Sequence, residues 1–179
     1  MLKNKVPKIM VHGQARVGKD TVCEYLRGIH GLSFMSSSRA ATAIVIWPAL
    51  ASKYGYKDLN ECFYDRVNHR SEWFTLIKGY TEESLTKLAD AIYAHNDIYC
   101  GIRRQEELDA VLDKYDILLI QVTAPRRVAK PEPASSYALQ LDTWSSLNNS
   151  YLINNDSTIG DLYEKLDKLA PEIKAHLAK

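Results

Sequence analysis

The stretch KIMVHGQARVGKDTVCEYL, Lys8 to Leu26, constrains the fold more than any other part of the chain. An apolar run enters Gly13, four residues follow, then Gly18 and Lys19, and an apolar-periodic run begins. The order reads as strand, loop, helix. Gly13-Gln14-Ala15-Arg16-Val17-Gly18-Lys19 fits G-x-x-x-x-G-K, and a strand before it with a helix after it is the setting that gives this pattern meaning. The glycines let the backbone curl, so that N–H groups from Gln14 to Thr21 turn inward toward phosphate oxygens. The helix beginning near Lys19 adds the positive end of its dipole. Lys19 supplies a mobile point charge for the β- and γ-phosphates. One residue departs from the common form. Asp20 stands where a serine or threonine usually follows the lysine, and the hydroxyl comes one place later, at Thr21.

The rest of the chain alternates strands and helices. Strands are expected at Lys8 to Val11, Leu32 to Met35, Asp97 to Ile102, Asp116 to Val122 and Ser150 to Asn155, the fourth being an almost continuous apolar run. Helices are expected from Lys19 to Arg27, from Arg39 to Tyr54 with an interruption before Pro48, and from an Asn60 cap to about Lys78. Further helices are expected from a Thr81 cap through Glu82 to His95, from Gln105 to Lys114, and from Thr158 to near Ala170. Thr158 with Asp161 forms a capping-box pattern, and Pro171 is read as opening a separate final turn or short helix. This alternation predicts an α/β fold with a largely parallel sheet, whose ligands sit beyond the carboxyl ends of the strands. The 179 residues are enough for one domain, 1–179, with a sizeable core.

Composition narrows the partners. A net charge of +1 removes any bulk electrostatic case for nucleic acid or an anionic membrane. No window approaches the ~18 consecutive apolar residues of a membrane span. Cys23, Cys62 and Cys100 are widely spaced, without a CxxC, and the histidines lack ligand spacing, so neither a disulfide framework nor a zinc site is indicated. A reduced, cytoplasmic setting is expected, the host cytoplasm if the chain is viral.

Arginines follow several of the expected strands and occupy one helix. Arg39 follows the second strand and its serine cluster, Ser36 to Ser38, and Arg103 with Arg104 follows the third. Arg126 and Arg127 stand in the proline-rich loop after the fourth strand. Arg66 and Arg70 are spaced i, i+4, as on one helix face. The planar guanidinium suits phosphate. Arg70 and Arg103 are the foremost candidates, then Arg66 and Arg39. Among the aromatics of the same region, Phe63, Tyr64, Trp73 and Phe74, stacking on a base and packing in a core are both open readings. His69 is open between a base or sugar contact and a structural role.

The Gly-Lys-Asp-Thr loop after GQARV resembles that of bacteriophage deoxynucleoside monophosphate kinases, P-loop enzymes related to adenylate kinases and dephospho-coenzyme A kinases. FYDRVNHRSEWFTLI (Phe63 to Ile77) resembles their acceptor-side helix, DIYCGIRRQEEL (Asp97 to Leu108) their third strand and following helix, and YLINNDSTIGDLYEKL (Tyr151 to Leu166) their closing strand–Asn-Asp–helix element. The resemblance implies a three-layer fold with five strands in the order 2-3-1-4-5, an acceptor-binding helical region over about 36–95 and a short lid over about 124–137. It implies ATP and magnesium as cofactors and a nucleoside monophosphate as acceptor, with a homodimer left open and neither nucleic acid nor membrane as partner.

Carried onto this chain, the resemblance places ATP on Gly13 to Thr21, with Arg126 from the lid and Asn155 and Asp156 framing the adenine. An Asx turn is the other reading of the last two. Magnesium falls to Thr21 and Asp20. The acceptor falls to Ser37, Arg39, Arg66, His69, Arg70, Trp73 and Arg103, and Lys19, Asp20, Arg70 and Arg103 become the catalytic set. There is one departure. In the phage enzymes the third strand ends in Asp-x-Arg, whereas Gly101 takes the place of that aspartate here. Asp20 is the nearest replacement in sequence, as a metal-side carboxylate, a contact to the acceptor phosphate, or an acid that favours the helix dipole. A kinase of a small metabolite such as dephospho-coenzyme A, and a nucleotide-binding protein without catalysis, are the rival functions.

Overall fold

The computed structural model describes residues 5–127 and 149–179. Five strands, β1 (Val6–His12), β2 (Phe34–Ser36), β3 (Ile98–Cys100), β4 (Tyr115–Thr123) and β5 (Ser150–Asn154), form one sheet in the order β2-β3-β1-β4-β5. All four neighbouring pairs are parallel, with Val11 opposite Cys100 on one side and Ile120 on the other. The expected α/β class and strand order are both present.

Alternation along the strands divides the core between two faces. Ile9, Val11, Ile98, Cys100, Leu118 and Ile120 meet Val22, Cys23 and Leu26 of α1 (Lys19–His30) and Leu162, Leu166 and Ile173 of α8 (Ile159–Leu177). Met10, Tyr99 and Leu119 face the other way, onto α6 (Lys87–Tyr93) and α7 (Gln105–Lys114). Burial on both faces is why the fourth strand reads as an unbroken apolar run.

Between β2 and α6 the chain builds a third, smaller core from Ile46, Leu50, Cys62, Phe63 and Trp73. It is carried by the segment 42–46, α3 (Trp47–Tyr54), α4 (Leu59–Asp65) and α5 (Arg70–Thr81), while the preceding α2 (Ser37–Ala41) sends Ala40 to the second face of the sheet. A single π-helical turn, Thr42–Ile46, joins α2 to α3. The interruption expected before Pro48 therefore exists. Proline offers no N–H to the preceding turn, and the wider register absorbs the gap.

Three helix expectations need correction. The helix read from Asn60 to Lys78 is two helices, and Asp58 caps the first, its Oδ1 accepting from the N–H groups of Asn60 (2.8 Å) and Glu61 (2.9 Å). The break at 66–69 is organised by Asp65, which accepts from Tyr56 Oη and Asn68 Nδ2, both at 2.6 Å, and lies 3.0 Å from His69 Nε2. Thr81 caps nothing. It ends α5, donates back to the Ile77 and Lys78 carbonyls, and the next helix starts at Lys87. Pro171 does not begin a new element, because α8 runs through it to Leu177. An internal proline costs about 3 kcal/mol. Burial of Leu166, Leu169 and Ile173 on either side offsets that, at roughly 1.5–3 kcal/mol for each such side chain. Most of the expected lid, 128–137, lies outside the described residues.

Candidate functional site

The phosphate loop leaves the carboxyl end of the central strand β1 and enters α1. Gly13 is required by a close approach: a Cβ there would stand 2.2 Å from the Val122 carbonyl oxygen and 2.9 Å from Val17 Cγ2. Gly18 caps α1 in the left-handed region, φ 98°, and as a glycine brings no capping side chain of its own. A helix N-terminus presents backbone N–H groups and the positive end of its dipole, which suits an anion. Lys19 Nζ donates to the Gln14 carbonyl at 2.6 Å, folding its charge back over the loop. Arg16, exposed, is the one non-glycine residue at positive φ among the described residues (64°).

Asn155, buried at the end of β5, acts from beneath. Its Nδ2 donates to the Val17 carbonyl at 2.9 Å, and its N–H to Thr123 O at 2.7 Å. A side chain at Gly18 would collide with that amide at 2.4 Å. Asn155 therefore braces the phosphate loop. Asp156 accepts from the Arg126 backbone N–H at 2.9 Å, and Arg127 donates to the Asn155 carbonyl, so the start of the loop after β4 is tied to the closing element. The Arg126 and Arg127 side chains are exposed.

The turn after β3 is pinned from several sides. Cys100 Sγ reaches Asp20 Oδ1 at 3.7 Å, the Gly101 N–H donates to Val11 O at 2.9 Å, and Ser37 Oγ donates to Gly101 O at 2.7 Å. Sequence reasoning missed His12, the last residue of β1, whose Nδ1 lies 3.1 Å from the Ile102 carbonyl. A carbonyl only accepts, so Nδ1 carries the proton. Burial, then the nearby charge of Lys19, lowers the His12 pKa to about 4 against the opposing pull of that bond, and the ring is neutral at pH 7. Its place at the strand end just before the loop was the available signal. Gly101 abuts Lys19: a Cβ there would lie 3.7 Å from Lys19 Cε and 3.6 Å from Ser37 Oγ. The Asp20 carboxylate, arriving from α1, thus stands at the end of β3 beside the position where the resembled family has an acid.

The acceptor-side arginines converge despite the helix break. Arg66 ends α4 and Arg70 begins α5, so the expected single helix face is replaced by the two banks of a turn. The Arg66 guanidinium is half-buried and held below the usual arginine pKa by burial first, then by the charges of Arg103, Arg39 and Arg70. Arg39 and Arg66 both stand on the Phe63 ring, at 3.7 and 3.8 Å from its centroid. Arg39 also donates to Asn60 Oδ1 (2.7 Å), and Arg66 to the Phe63 carbonyl (2.8 Å). Among the described residues, arginine–carboxylate pairs are formed by Arg27 with Glu24 and by Arg104 with Glu106 and Glu107. None of the four converging arginines has one.

Arg104 instead binds Thr81 Oγ1 at 3.0 Å and the buried Glu107 at 3.1 Å, joining α5 to α7. His69 is occupied by Asp65 and by stacking on Tyr54, with ring centroids 4.0 Å apart. Trp73 is buried in the third core, and its Nε1 has no hydrogen-bond partner among the described residues.

Among the described residues no group of three metal-ligating side chains occurs. The exposed Asp20 carboxylate and the half-buried Thr21 hydroxyl are adjacent hard oxygen donors in the first turn of α1. That pair fits a magnesium ion that arrives with a nucleotide and keeps phosphate oxygens and waters as its other ligands.

A five-stranded parallel sheet of this order, with a phosphate loop after the central strand, is the fold of the P-loop kinases. The likeness to a solved gluconokinase agrees in fold. A gluconokinase from Sinorhizobium meliloti 1021 superposes with a TM-score of 0.52 at 12% identity, covering 97% of this chain and 98% of that one. A sugar kinase from Janibacter sp. HTCC2649 gives 0.44 at 14% identity, over 94% of this chain and 98% of that one. In sequence, a probable GTP-binding protein EngB of Chlorobium phaeobacteroides (strain BS1) is 27% identical over 176 residues, 92% of this chain and 85% of that protein. No protein-family model matches. Among the described residues no helix is long and apolar enough to cross a membrane.

Proposed function

We propose that the chain transfers the γ-phosphoryl group of ATP to a (deoxy)nucleoside monophosphate. The observation that carries this reading is the set Arg39, Arg66, Arg70 and Arg103, four guanidiniums gathered near one another without a carboxylate partner among the described residues. Such a concentration of unneutralised charge calls for a multiply charged anion. One member of the set, Arg103, follows the β3 turn, whose Gly101 adjoins Lys19, and this supports an acceptor phosphate held within reach of a donor phosphate on the loop.

The chemistry asks little more of the protein. A phosphate acceptor is already an anion and needs no strong general base, so catalysis consists of positioning and charge stabilisation. The N–H groups of the loop and of α1 hold the donor phosphates. Lys19, released from the Gln14 carbonyl, follows the transferring group. Arg70 and Arg103 neutralise charge between the two phosphates, while Arg39 and Arg66, preset on Phe63, orient the acceptor. Thr21 and Asp20 would hold magnesium, which would supply charge neutralisation on the donor phosphates when bound.

A second reading, kinase action on another small metabolite, is favoured by the gluconokinase likeness in fold, and the EngB relative makes a nucleotide-binding protein a third. One assay separates them: ADP or GDP release from ATP or GTP across the ribo- and deoxyribonucleoside monophosphates, dephospho-coenzyme A and gluconate. Turnover with ATP and one or more monophosphates is expected. Turnover confined to dephospho-coenzyme A or gluconate would replace the first reading with the second. Nucleotide binding without product on any acceptor would support the third.

A further inference from the structure

Cys100 is the last residue of β3 and is 1% exposed. Register fixes its backbone between Val11 of β1 and Ser36 of β2. Its Sγ lies 3.7 Å from Asp20 Oδ1, and because an ionised carboxylate only accepts, the thiol is the donor. Cys23, three residues beyond Asp20 on α1, packs in the same buried cluster and adjoins the Cys100 thiol. Burial raises the Cys23 pKa well above its usual value, so that neighbour stays a neutral thiol. The Asp20 carboxylate makes no other hydrogen bond or ion pair among the described residues, so Oδ2 has no partner among them.

An exposed aspartate in the first turn of a helix samples several rotamers. Here one oxygen meets a donor set in the sheet, the most rigid part of the molecule. A thiol suits the task because its weak donation leaves most of the carboxylate charge in place, whereas a lysine or arginine would neutralise it.

We propose that Cys100 is a positioning residue: its Sγ–H fixes the Asp20 carboxylate at the carboxyl end of β3, with Oδ2 turned to the water shell of nucleotide-bound magnesium. This rests on the metal-side role given to Asp20 above.

The test measures binding without any acceptor. ATP affinity is determined by calorimetry with and without magnesium for the wild type, Cys100→Ala, Cys100→Ser, Asp20→Asn and the Cys100→Ala/Asp20→Asn double variant. Cys100→Ala should lower the magnesium-dependent gain in affinity roughly two- to five-fold, the scale of a weak hydrogen bond. Cys100→Ser should restore most of it, and the double variant should bind no worse than Asp20→Asn alone. Infrared spectroscopy adds a direct signature. The S–H band that Cys100→Ala removes should shift in Asp20→Asn. A wild-type magnesium gain in folded Cys100→Ala, additive losses in the double variant, or an unmoved S–H band would each overturn the proposal. Should Cys100→Ala fail to fold, Cys100→Ser identifies the band equally well. Absence of turnover on every acceptor would remove the transferase reading while leaving these binding and spectroscopic results intact.

Discussion

His12 gives the sharpest quantitative test of the site as described. Its pKa falls from 6.5 to about 4 on folding, with burial the main cause and Lys19 the second. A histidine kept neutral in the folded state contributes stability that is fully present above pH 6.5. It is lost as pH falls toward 4, because the unfolded chain takes up the proton first. At about 1.4 kcal/mol per pH unit the whole contribution is about 3 kcal/mol, of which about 2 kcal/mol should be gone by pH 5. Urea unfolding at a series of pH values would measure this as the difference in pH slope between wild type and His12→Asn. An NMR titration of the His12 ring gives the pKa directly. Nucleotide binding should raise that pKa, because phosphates beside Lys19 offset its charge while the burial remains. Equal pH slopes for the two proteins, or a His12 that titrates near 6.5, would refute the argument and with it the buried placement of the ring.

Three further outcomes follow from the same geometry. Lys19→Ala should reduce phosphoryl transfer by about 10²- to 10³-fold, as loss of a charge-stabilising donor does elsewhere, with an unchanged circular-dichroism melt. Asn155→Ala should cost about 1–3 kcal/mol in denaturant unfolding, because the Val17 carbonyl loses its buried donor, and should weaken nucleotide affinity in calorimetry. Arg66→Lys keeps the charge but loses the planar fork stacked on Phe63. Steady-state kinetics should show a raised acceptor KM with little change in the KM for ATP.

Much of the fold was legible because its signals are local. The run DILLIQV, the glycine spacing of the phosphate loop and the Thr158–Asp161 capping box each sit within a few residues, and each appears in the structure as read. The misreadings have two causes, a rival capping residue close by and partners farther off in sequence. Asn60 and Thr81 carry good capping side chains. Yet Asp58 takes the cap of α4, and Thr81 is engaged by Arg104, 23 residues away. The turn at 66–69 depends on Tyr56 reaching Asp65, which no periodicity reveals. Pro171 is a fair stop signal that lost to tertiary burial of its own helix.

The site divides the same way. Sequence order placed Arg39 and Arg103 beyond strand ends and Arg66 with Arg70 on a helix, and in the structure the charges of Arg103, Arg39 and Arg70 all act on Arg66. It could not assign Asn155 to the loop rather than to a base, because its bond to Val17 spans 138 residues. It put Arg103 ahead of its neighbour Arg104, and the structure binds Arg104 to Glu107.

That long bond bears on how the molecule comes into being during synthesis. The loop spans residues 13–19, yet its brace is made more than a hundred residues later, just after the strand that closes the sheet. A ribosome-tethered chain that has emerged only through β4 has a glycine-rich loop with an open underside. Nucleotide capture by nascent chains of increasing length should therefore switch on late, once the segment around residue 155 clears the exit tunnel, so that ligand binding acts as a completion signal for the whole domain.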